Sequence, residues 1–135
     1  MKKEFIPYKE SLELKELGFD EPCCKYVYVG DTGTNLDHYL EVEPSKAKNW
    51  NADALCISQP TFSQAFRWFR EKHNLFHEIQ IDRTAEPKFC FDIFQYEHFG
   101  NYEEIRIGEW YLYRTQEEAE LECLRKLIEI VKNGK

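Results

Sequence analysis

The hydrophobic period of this chain changes twice along its length, and that change limits the fold more than any other feature. Between Thr61 and Lys72 the apolar residues Phe62, Ala65, Phe66 and Phe69 recur at helical spacing. From Phe76 to Tyr113 the spacing shortens to two, as half-buried strands require. From about Gln116 to Lys132 the helical period returns, with Leu121, Leu124, Leu127, Ile128 and Val131 as one stripe. A chain that switches period in this way is expected to be α+β.

Punctuation residues set the element limits. Pro7 suits the first turn of a short helix over 7–17 whose apolar face holds Tyr8, Leu12, Leu14 and Leu17. Gly18 stops that helix, and Phe19 folds back on its last turn. Lys25–Val29 and Leu36–Val42 read as strands joined through Gly30–Thr34, and Leu55–Ile57 as a short third. Residues 43–54 lack a period and read as a loop carrying Trp50. Thr61 with Gln64, and Thr115 with Glu118, have the spacing of capping boxes at the starts of two longer helices. Phe76–Ile81, Lys88–Tyr96 and roughly Ile105–Tyr113 are the later strands. The expected order is α-β-β-(β)-α-β-β-β-α, within one domain over 1–135. It predicts a mainly antiparallel sheet of about five strands, with the two longer helices on one face.

Several function classes are excluded or demoted by composition. No apolar run reaches the length of a membrane span or a signal segment, so the expectation is a cytoplasmic protein with no membrane contact. Five cysteines, odd in number and without CxxC spacing, fit a reducing compartment, where they behave as small hydrophobes. A formal charge of -7 argues against binding nucleic acid through its phosphates.

Three local patterns carry chemical suggestions. Asp31-Thr32-Gly33-Thr34 has the triplet of an aspartic protease, whose chemistry needs two carboxylates sharing a proton. Asp and Gly are also what a tight turn requires, and the turn is the better reading. His73 and His77 are four apart, but Asn74 ends the helix between them, so a zinc pair is not expected. The vicinal Cys23 and Cys24 have only Lys25 as a nearby cation, too little to favour a thiolate. No cofactor and no metal are implied.

The surplus is aromatic. Phe89, Phe91, Phe94, Tyr96, Phe99, Tyr102, Trp110, Tyr111 and Tyr113 crowd the last three strands on both faces, more than one core face accommodates. A contact surface formed by Tyr96, Trp110, Tyr111 and Tyr113, extended by Arg67, Trp68 and Arg70 from the preceding helix, is the candidate binding site. Dimerisation is its expected use. Trp68 also fits as the last member of its helix's buried stripe.

Three stretches carry a resemblance: Phe5–Tyr8 leading to Leu14–Cys23, Pro60–Lys72, and Glu117–Glu120 leading to Cys123-Leu124 and Lys126–Lys132. Together they resemble a family of small uncharacterised proteins encoded by phages and prophages of gut Bacteroidales-type bacteria. Cys24 and the loop 43–54 depart from that family's pattern. The family has no assigned activity, so the resemblance implies an accessory role without supplying catalytic residues. The expectation is a non-enzymatic interaction module that binds a host or phage protein and forms a homodimer. A binder of a nucleotide-like ligand, using Arg67, Arg70 or Arg106, is the alternative. A small hydrolase or nuclease built on Asp31, Asp37 and His38 stands third.

Overall fold

The computed structural model describes residues 4–29, 39–83, 88–96, 102–105 and 112–134. The architecture is α+β, with three α-helices and two antiparallel sheets among the described residues. The chain divides into two compact units, 1–64 and 65–135.

In the first unit, α1 spans Tyr8–Leu17. Pro7 stands at its N-cap instead of inside the first turn, its carbonyl accepting the Ser11 N–H at 2.9 Å. Gly18 closes the helix at φ 99°, a left-handed conformation that only glycine adopts without steric cost. The Phe19 N–H reaches back to the Leu14 carbonyl at 2.9 Å, and both side chains are buried. This paired backbone closure with an apolar contact is the Schellman motif. The buried side of α1 differs from the expected one. Glu10, Ser11 and Leu14 face inward, while Tyr8 and Leu12 are only half-buried. A polar seam explains the rotation, since the Ser11 hydroxyl and the Gln59 amide both donate to the Ile6 carbonyl, at 3.3 and 2.9 Å. Lys15 adds a tie to the same side, its ammonium donating to the Cys56 carbonyl at 2.6 Å.

The strands β1 (Lys25–Tyr28), β2 (Tyr39–Glu41) and β3 (Cys56–Ser58) form one sheet in the order β2-β1-β3. The connection from β2 to β3 holds two short 3-10 turns, Pro44–Lys46 and Trp50–Ala52. It returns the chain to the free side of β1, where Tyr26 pairs with Ser58 and Val27 with Ile57. The turn Gly30–Thr34 and the residues 36–38 of the expected second strand lie outside the described residues.

The helix α2 (Phe62–His73) starts with the capping box in place. Thr61 Oγ1 accepts the Gln64 N–H, and Gln64 Oε1 accepts the Thr61 N–H, both at 3.1 Å. In the second unit, β4 (Leu75–Asp82), β5 (Lys88–Tyr96) and β6 (Tyr102–Ile105) follow as an antiparallel sheet in sequence order. In place of the expected single sheet of about five strands, the described residues form two sheets of three. Each set of strands pairs within its own stretch of sequence, because the loop 43–54 gives β3 a local partner in β1. α3 (Gln116–Asn133) packs along β5 and β4, burying Ala119, Cys123, Leu124, Leu127 and Ile128. Its capping is half a box: Thr115 Oγ1 accepts the Glu118 N–H at 3.1 Å, while the Glu118 carboxylate takes the Arg114 N–H at 3.0 Å.

Candidate contact surfaces

The residues picked out from the sequence divide into four groups. Trp68 is 3% exposed and stands edge-on to Phe69 and His73, with centroids 5.1 and 4.8 Å away. It completes the buried stripe of α2, and the exposed aromatic edge expected there is absent. Arg67 and Arg70 are exposed on the same helix. Tyr113 is half-buried and joins the end of β5, exchanging backbone hydrogen bonds with Phe89 at 2.7 and 2.8 Å and stacking on Phe91. Tyr96 opposes Tyr102 in the β5–β6 ladder. Trp110 and Tyr111 lie outside the described residues, as do Asp31, Asp37, His38 and Arg106.

Among the described residues, four thiols and one histidine are held by burial in settings that disfavour their charged forms. Burial pushes the Cys23 thiol up to about 12 and raises the Cys123 thiol as well, so both stay protonated. Desolvation also raises the thiols of Cys56 and Cys90. His77 lies flat on Phe66, centroids 3.8 Å apart. Burial first, and the Arg70 guanidinium second, lower its pKa from 6.5 to about 4, which leaves the ring neutral. His73 packs against Trp68 and Phe69. Among the described residues no group of three or more His, Cys, Asp and Glu is placed to hold a metal ion.

An aromatic cluster in the first unit was not singled out by sequence reasoning. Trp50 stacks on Tyr26 with centroids 3.8 Å apart and planes at 14°, and its indole N–H donates to the Cys23 carbonyl at 2.8 Å. The Lys48 ammonium caps the stack 4.6 Å from the Trp50 centroid. Tyr26 opposes Leu40 across β1–β2, so Tyr26, Tyr28 and Leu40 share one face of the sheet. Tyr28 and Leu40 are 50% and 42% exposed. On the opposite face, Lys25 lies between the rings of Phe5 and Tyr39, at 4.1 and 4.7 Å. The only sequence signal for this cluster is an isolated tryptophan in a polar loop. Its partner lies 24 residues away in β1, beyond the reach of any local period.

No family model, curated protein or solved structure matches the chain. No helix among the described residues is long and apolar enough to cross a membrane.

Proposed function

We propose that this chain is a protein-interaction module whose contact face is the β1–β2 surface bearing Tyr28 and Leu40. One observation carries the reading. Two large apolar side chains stand half-exposed on the same face of a short sheet, beside an aromatic stack that fixes the backbone beneath them. Exposed aromatic and aliphatic groups on a rigid support are what a partner buries with the least loss of conformational freedom. The protonated thiols and the neutral, ring-stacked histidine fit a binding role better than nucleophilic or metal chemistry. An accessory role for a phage or prophage in a bacterial cytoplasm is part of the proposal, and it rests on the resemblance of three sequence stretches alone.

The test is affinity capture from bacterial lysate with the native chain and with a Tyr28→Ser, Leu40→Asp variant of unchanged circular dichroism. The module reading expects a captured protein that the variant loses, with binding weakened at least tenfold in titration of the purified pair. Equal capture by both chains would place the contact elsewhere and contradict the assignment.

A further inference from the structure

We propose that Asn133, at the end of α3, is a site of spontaneous deamidation, a modification of the chain that consumes only water. The proposal stands independently of the β1–β2 surface. Of the six asparagines in the sequence, Asn133 alone is followed by glycine; leucine, tryptophan, alanine or tyrosine follows each of the others. Glycine has no side chain to screen its backbone nitrogen, and it turns through conformations closed to other residues. The fold requires glycine here for a separate reason. A Cβ at position 134 would stand 2.8 Å from the Ile130 carbonyl oxygen, so the way α3 ends keeps the reactive pair in place.

In the reaction the Gly134 backbone nitrogen attacks Cγ of Asn133. The N–Cγ bond forms, the Cγ–Nδ2 bond breaks, and the side-chain amide leaves as ammonia with the proton that the backbone nitrogen gives up. Water then opens the cyclic imide at either carbonyl. One opening gives aspartate; the other gives isoaspartate, with the main chain rerouted through the side chain. The attack needs a backbone rotation that an intact helix forbids, so position along the helix decides the outcome. Asn133 is the last residue of α3 and is exposed. A terminal turn opens at almost no cost in free energy. The other described asparagines are held. Asn51 donates through Nδ2 to the Phe19 carbonyl at 3.0 Å and accepts the Ser58 N–H at 2.8 Å. Asn49 accepts the Asn51 N–H at 3.0 Å. Asn74 stands at φ 58° ahead of Leu75, which is buried at the start of β4. Deamidation of Asn133 adds one negative charge to the -7 of the sequence. It sets that charge at the negative end of the α3 macrodipole, where it loosens the last turn.

The experiment incubates the full chain in heavy-oxygen water at neutral pH, folded and in guanidinium chloride, and follows every asparagine by peptide mapping with mass spectrometry. Asn133 is expected to be the first asparagine converted in the folded chain, with uptake of one heavy oxygen per event. Isoaspartate should exceed aspartate, which marks the imide route. Conversion should quicken as the pH rises, because the attacking nitrogen must lose its proton. Asn133→Gln, which would have to close a larger ring, should remove the signal. An Asn133 that stays intact in the folded chain overturns the proposal, whether or not the unfolded chain converts it. Earlier conversion of another asparagine in the folded chain, or aspartate without isoaspartate at position 133, overturns it as well.

Discussion

His77 couples ring stacking to proton affinity, because the face that meets Phe66 is also the face that loses its water. The unfolded chain binds a proton at this site near 6.5 and the folded chain only near 4. Its contribution to stability is therefore complete above 6.5 and is lost as the pH falls from 6.5 toward 4. The full shift corresponds to about 3 kcal/mol. His77→Phe keeps a ring against Phe66 and removes the titration. Urea unfolding at pH 7 and pH 4 should show the variant gaining about 3 kcal/mol on the native chain over that interval. A constant difference would contradict the assigned setting of His77. The thiols make a second residue-scale prediction. Cys24 is the one cysteine of the five that is not buried, so mass spectrometry after brief alkylation should find it modified first. Equal labelling of Cys23 or Cys123 would show that their burial is wrong. Trp68→Ala should cost about 3–5 kcal/mol in chemical denaturation, as loss of a core ring does; a change under about 1 kcal/mol would return Trp68 to the surface. Trp68 was ambiguous in the sequence because it falls at the margin of the α2 stripe, where a rotation of a few tens of degrees decides burial.

At the scale of elements, the helix ends were the most legible features, because a cap is decided within four or five residues. Gly18 with Phe19, Thr61 with Gln64, and Asn74 at φ 58° all end or begin helices where their chemistry indicates. Thr61→Ala should lower stability by about 1 kcal/mol, seen as a shift in the urea midpoint without a change in slope. Gly18→Ala meets no atom within 4 Å, so its cost is backbone alone, about 1–2 kcal/mol. A larger loss would mean that the added methyl group meets something after all. The buried face of α1 was not legible, because Glu10 and Ser11 count as polar in any periodicity. They face inward on the side where Ser11 and Gln59 share the Ile6 carbonyl, a bond spanning 53 residues. One strand position was missed: β6 covers Tyr102–Ile105 and shares only Ile105 with the strand expected over Ile105–Tyr113, of which 106–111 lie outside the described residues and Tyr113 bridges to Phe89.

For the whole molecule, the class was legible and the pairing was not. Alternating and helical periods identify strands and helices, yet nothing in a period says which strands are neighbours. β3 could have extended the later sheet; instead the loop 43–54, held by the Cys23–Lys48 bridge and by Trp50 on Tyr26, sets it beside β1. That same loop, read from sequence as featureless, builds the support for the exposed Tyr28 and Leu40. Of the aromatic candidates, Tyr113 in the later stretch extends its sheet, and Trp68 on α2 is core. The central claim is thus that the β1–β2 face is where this chain meets another protein. A photo-activatable benzophenone side chain placed at position 28 tests it most directly, with position 129 on the exposed side of α3 as the control. Irradiation in bacterial lysate should give a discrete protein adduct from position 28 that excess native chain suppresses, and none from position 129. Adducts of equal yield from both positions, or none from position 28, would contradict the claim.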